Sequence, residues 1–98
     1  MTTEYGLKEM EQEYGPLTFG KALEAHRKGE EMTQKQFAEI LGITPSSLCD
    51  LEKGRRIPSV KRAAKIARTI GMSEKTWVKF AIQDMIREAE LEYNVSVA

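Results

Sequence analysis

The sequence predicts an all-α fold: five short helices around one small core, the last helix extended and followed by a short tail. Three observations lead there. Apolar residues recur at helical spacing, as at Phe37, Ala38 and Leu41. Gly29, Gly42, Gly54 and Gly71 each close such a segment, and Thr or Ser stands where most of the following segments open. The alternation of a β-strand appears nowhere before Tyr93-x-Val95-x-Val97.

Each helix has its own signals. The first is expected from about Thr18 to Lys28, ahead of Gly29. Thr33 opens the second, Gln34 to Leu41, and Gln36 three residues on completes a Thr-x-x-Gln capping box. Ala38 offers a small side chain where the next helix must come close, and Ile43 plugs the turn after Gly42. Thr44 caps the third helix, Pro45 to Lys53, with proline at the first helical position, where its missing N–H costs nothing. Leu48 and Leu51 pin that helix inward and leave Pro45, Ser46, Cys49 and Asp50 facing out. Ser59, after Pro58, caps a fourth helix from Val60 to Ile70, and a fifth follows Ser73 to about Leu91. The expected core is Leu23, Phe37, Ala38, Leu41, Ile43, Leu48, Leu51, Ile57, Ala63, Ile66, Ala67, Ile70 and Trp77.

Composition narrows the function classes. Ninety-eight residues suit one domain with a modest core and no deep enzyme cleft. No apolar run is long enough to span a membrane, and the acidic, polar N-terminus is unlike a secretory signal, so the expected location is cytoplasmic. A single cysteine, Cys49, excludes an internal disulfide, and a single histidine, His26, leaves no zinc set. With no nucleophile–base pair, metal set or phosphate loop, neither enzymatic activity nor a cofactor is expected. His26 lies near the end of the first helix, where a cation suits the helix dipole.

The formal net charge is zero, but it is unevenly spread. Residues 1–16 and 84–98 each carry −3, whereas residues 17–83 hold thirteen Lys/Arg against seven Asp/Glu. Between Lys53 and Arg68 there are seven basic residues (Lys53, Arg55, Arg56, Lys61, Arg62, Lys65, Arg68) and no acid. A basic centre with acidic ends fits a nucleic-acid-binding domain whose termini serve another purpose.

The stretch from Thr33 to Glu52, TQKQFAEILGITPSSLCDLE, has the spacing of a helix-turn-helix. With Thr33-Gln34, Phe37-Ala38, Leu41-Gly42-Ile43, Ser46-Ser47-Leu48 and Leu51-Glu52-Lys53-Gly54-Arg55 followed by Pro58, the chain resembles the Xre/Cro–CI family of repressors over about residues 17–72. Its size and long last helix are also similar to HigA-type antitoxins. The resemblance implies a lambda-repressor-like DNA-binding domain whose third helix lies in the major groove. It places Pro45, Ser46 and Asp50 against base edges and Thr44 and Ser47 nearer the backbone. Thr33 and Gln34 would meet a phosphate, and Lys53, Arg55, Arg56 and Lys61 would grip others. None of the three base-facing positions holds Gln, Asn or Arg, so the familiar bidentate contacts to adenine or guanine are missing there. For Asp50 the competing expectation is a salt bridge to Lys53 or to an N-terminal arginine of a neighbour. Cys49 on the same side reads as a small filler.

The chain therefore divides into an acidic segment (1–16), the helix-turn-helix domain (17–72) and a C-terminal helix with tail (73–98). Ile82, Met85, Ile86 and Ala89 extend an apolar surface past the domain and are expected to form a two-fold dimer on a palindromic double-stranded operator. Residues 93–97 could add a strand across that dimer. Leu7, Met10 and Tyr14 could form a short amphipathic helix packed on the domain, or the segment could be an acidic arm that folds onto a basic partner. The resemblance to HigA-type antitoxins implies a small basic toxin protein in that place. The expected function is an autoregulating antitoxin repressor. The alternatives are a phage-type repressor without a toxin and a helix-turn-helix adaptor that binds proteins.

Overall fold

A computed structural model describes residues 17–90. The described residues form five helices, α1 (Phe19–Gly29), α2 (Gln34–Leu41), α3 (Pro45–Glu52), α4 (Val60–Thr69) and α5 (Glu74–Glu88). The expected tail strand and N-terminal helix fall outside the described residues. Each helix opens on a Ser or Thr hydroxyl (Thr18, Thr33, Thr44, Ser59 and Ser73) that accepts from an amide in the first turn. None of the described helices is long and apolar enough to cross a membrane.

The same bond pattern ends four of them. After α2, Gly42 takes φ +71° and the Ile43 N–H reaches back to the Ala38 carbonyl at 3.0 Å. The same six-residue return joins Arg55 to Asp50 after α3 and Met72 to Ala67 after α4. After α1 the left-handed residue is Glu31 at φ +55°, with Met32 bonded back to Arg27, and Gly29 lies inside the helix. The expected terminator was thus two residues early. A Cβ-bearing residue is strained there, and it is held because both flanking returns, Glu31 to Lys28 and Met32 to Arg27, are made. At the other end of the chain α5 stops at Glu88, short of the expected Leu91.

The core gathers Phe19 and Leu23 of α1, Phe37 and Ala38 of α2, Leu48 and Leu51 of α3, Ala63, Ile66 and Ala67 of α4, and Trp77 and Ala81 of α5. Leu41, Ile43 and Ile70, expected inside, form its half-buried rim, and Ile57 is also half-buried. Phe19 was not expected: it stands edge-on to Trp77, ring centres 5.4 Å apart, and anchors α1 on α5.

Two contacts fix α1 against its neighbours. Gly20 lies so close to the end of α3 that an added Cβ would meet the Leu51 and Glu52 carbonyl oxygens. The Phe19 N–H donates to Asp84 Oδ2 of α5 at 3.0 Å, and Arg87 donates to Oδ1 of the same carboxylate at 2.8 Å. Burial pushes the Asp84 carboxyl above its ordinary pKa, and the two donors partly offset that push.

Candidate nucleic-acid interface

The α2–turn–α3 unit is built as its sequence requires. Gln36 N–H donates to Thr33 Oγ1 at 3.1 Å and Gln36 Oε1 accepts the Thr33 N–H at 2.9 Å, a closed capping box. At the head of α3, Ser47 N–H donates to Thr44 Oγ1 at 3.0 Å while the Thr44 hydroxyl donates to Ser47 Oγ at 2.9 Å. Phe37, Ala38, Leu48 and Leu51 are buried between the two helices and the rest of the core. That leaves Thr44, Pro45 and Ser46 exposed on α3, with Ser47, Cys49 and Asp50 half-buried.

Thr33, Lys53, Arg55, Arg56 and Lys61 are all exposed. Arg55 donates from Nη1 to Asp50 Oδ1 at 3.2 Å. The partner of Asp50 is therefore Arg55 and not Lys53: Gly54, at φ +74°, turns the chain back so that residue 55 returns over residue 50. Among the described residues, Lys53, Arg56, Lys61, Arg62 and Lys65 form no ion pair. Arg62 lines two grooves on this side of the molecule. One, of about 220 Å³, runs past Ser47, Arg56 and Pro58; the other, of about 300 Å³, runs past Gly42, Ile43, Lys61 and Lys65. The sequence marked Arg62 as part of the basic run but gave it no place in the interface.

Gln34 has a second attachment that its sequence neighbours do not reveal. Its Nε2 donates to Glu52 Oε1 at 3.1 Å, so part of its amide is engaged inside the protein. Glu52 is the acceptor hub of a buried network. Arg27 donates to it twice, Nε to Oε2 at 2.8 Å and Nη2 to Oε1 at 3.1 Å, and uses Nη1 on the Met32 carbonyl at 3.0 Å. The Glu52 side chain is 0 % exposed and that of Arg27 12 %. The Glu52 carboxylate holds the Arg27 guanidinium still more firmly protonated than usual. Three helices are thereby cross-linked: Arg27 of α1, Gln34 of α2 and Glu52 of α3.

A signal for this network is present in the sequence. Leu48, Leu51 and Glu52 stand at i, i+3 and i+4, so the carboxylate shares the buried side of α3 with the two leucines. His26 also has a packing role, its ring tilted against that of Phe37 with centres 5.9 Å apart.

A helix-turn-helix family model matches residues 23–77, from the middle of α1 into α5. An immunity repressor protein of Bacillus phage phi105 is 32% identical over 78 residues, covering 80% of this chain and 53% of that protein. An endothelial differentiation-related factor 1 homolog of Xenopus laevis is 35% identical over 65 residues, 66% of this chain and 44% of that protein. An uncharacterized HTH-type transcriptional regulator of Methanothermobacter thermautotrophicus is 46% identical over 46 residues, 47% of this chain and 67% of that protein. Apart from that last one, the chain spans about half the length of these relatives or less. No solved structure matches the chain significantly. With more than half of its residues inside the family match and its capped helix pair and five-helix, lambda-repressor-like fold in place, the chain belongs to the helix-turn-helix family, in its Xre/Cro–CI form.

Proposed function

We propose that the chain is a sequence-specific, DNA-binding transcriptional repressor that inserts α3 into the major groove. The observation that carries this reading is the arrangement around α3: Thr44, Pro45 and Ser46 stand exposed at its head, and Lys53, Arg56 and Lys61, exposed and without an ion pair among the described residues, follow in the chain just beyond its end. In this reading Pro45, Ser46 and Asp50 meet base edges. Thr33, Gln34, Thr44 and Ser47 lie along the backbone, where the first amides of α2 and α3 add partial positive charge toward phosphate. Proline gives only apolar contact, as with a thymine methyl, and serine bonds to either kind of edge. Part of the specificity then comes from DNA shape and half-site spacing.

The test is a gel shift with the DNA upstream of the chain's own coding sequence, followed by a salt titration. Arg56→Ala is expected to weaken binding to all sequences alike and to flatten the slope of log K against log salt by about one. A loss confined to one base position would show that Arg56 does not hold a phosphate.

The repressor acts as a two-fold dimer joined through α5. Ile82, Met85 and Ile86 are half-buried within the single chain, and Ala89 is exposed as the residue that caps the helix end. This seam is less open than the sequence suggested, since the large apolar side chains exposed among the described residues are Ile40, Val60 and Met72. Two such domains would set their α3 helices one DNA turn apart, roughly 34 Å, on a palindromic site. Sedimentation at micromolar concentration, free and on DNA, is expected to show a dimer; a monomer in both states removes this part of the proposal.

Within the repressor reading, the chain is the antitoxin of an autoregulated operon, its acidic residues 1–16 paired with a small basic toxin. Pull-down with the product of the neighbouring gene tests that, and failure leaves a phage-type repressor of the kind that the phi105 relative's name describes. A second reading, a protein-binding adaptor, draws on one specific observation. Asp50 neutralises Arg55, and no amide or guanidinium stands at the three base-facing positions. A Candida albicans relative 34% identical over 56 residues is named multiprotein-bridging factor 1. Absence of any gel shift favours the adaptor.

A further inference from the structure

We propose that Asp50 and Arg55 form a single base-reading unit, and that the unit selects a C·G base pair. This rests on the DNA-binding reading above and moves Arg55 from the sugar–phosphate backbone to the base edges.

The contact between the two side chains is single: Arg55 Nη1 to Asp50 Oδ1, 3.2 Å. The other half of each group remains available. Asp50 Oδ2 has no donor among the described residues, and the Nε–Nη2 edge of Arg55, the fork that grips two acceptors at once, has no acceptor. The side chains are 32% and 60% exposed, so both remain open to a partner from solvent. The pair is also held from below. Arg55 N–H and Arg56 N–H both donate to the Asp50 carbonyl, at 2.9 and 3.3 Å, so the turn fixes the two backbones relative to one another. Asp50 lies one helical turn beyond the exposed Ser46, on the same strip of α3.

Such a unit offers a free acceptor beside a free two-pronged donor. A C·G pair presents the complement in the major groove: the cytosine N4–H donor next to guanine O6 and N7, two adjacent acceptors. An A·T pair puts its adenine N6–H donor between N7 and the thymine O4, so no two neighbouring acceptors face the fork. Charge points the same way. A lone arginine here would be drawn to phosphate and a lone aspartate repelled from it, whereas the ion pair is neutral as a whole and releases no counterion. Asp50 thus keeps Arg55 from settling on the backbone and directs it to a base.

The full-length chain tests this with duplexes selected from a random pool by the wild-type protein and with each single base-pair change of the selected site. Arg55→Ala is expected to lose roughly 10- to 100-fold on the selected site, to become indifferent at one C·G position, and to keep its salt slope. Asp50→Ala is expected to bind unrelated DNA more tightly and to steepen the salt slope by about one, because the freed guanidinium moves to phosphate. Both changes are at a surface ion pair and leave the fold intact; circular dichroism checks this. If Arg55→Ala weakens every duplex by the same factor and flattens the slope by about one, Arg55 is a backbone contact and this proposal is overturned while the repressor reading stands. No effect of Arg55→Ala also overturns it. A wild-type chain that selects no duplex overturns the repressor reading itself.

Discussion

Arg27→Ala is expected to destabilise the domain by about 3–5 kcal/mol, the cost of leaving a buried charge without its partner. The Glu52 side chain is 0 % exposed and, among the described residues, would keep only the Gln34 amide, and the Met32 carbonyl would lose its guanidinium donor. Small domains have about 5–15 kcal/mol of stability in all, so the variant should unfold at a much lower urea midpoint with an unchanged slope. Lysine should rescue little, because its three donors sit on one nitrogen and cannot reproduce the planar fork whose three nitrogens reach both Glu52 oxygens and the Met32 carbonyl. Replacing both charges together, as Arg27→Met with Glu52→Leu, should recover most of the loss, since an apolar pair carries no desolvation penalty. If Arg27→Ala costs less than about 1 kcal/mol, the network is no more than a surface ion pair in energetic terms.

Phe37→Ala is the second large effect, expected at about 3–5 kcal/mol. The ring is 0% exposed, sits on the first helix of the helix-turn-helix, and supports the His26 ring. Its removal leaves a cavity where α2 meets the core. Thermal melting by circular dichroism should show the loss as a fall of roughly 4–8 °C for each kcal/mol. DNA binding should disappear with the folded fraction: the affinity of the remaining folded molecules, measured well below the melting temperature, should match the wild type. A lower affinity in fully folded protein would mean that Phe37 also sets the angle of α3.

The helix-turn-helix was legible from the sequence because its signals are local. Thr33, Gln36, Gly42, Thr44 and Pro45 act within a turn or two of chain, and each performs in the structure the role its chemistry dictates. What was missed depends on distant chain, or on which of several nearby residues a turn selects. Gly29 looked like the end of α1, yet the left-handed position fell to Glu31, fixed by the returns of Glu31 and Met32. Phe19 at the head of α1 reads as a helix end, and only the arrival of Trp77 and Asp84 from α5 buries and caps it. The candidate interface divides in the same way. The exposure of Thr44, Pro45 and Ser46 follows from the periodicity of α3, whereas the partners of Gln34 and Asp50 do not. Lys53 is nearer to Asp50 in sequence, but the glycine turn brings Arg55 over it instead.

At Gly20 the backbone of α1 rests directly on the last carbonyls of α3, and one residue earlier the Asp84 carboxylate fastens the same helix to α5. The helix proposed to enter the groove and the helix proposed to pair are thus joined through one stiff strut, α1, whose own backbone makes the contact on both sides. Two copies coupled through α5 would behave as a gauge of fixed width. An operator lengthened at its centre by one base pair, about 3.4 Å, would admit one half of the gauge and turn the other away.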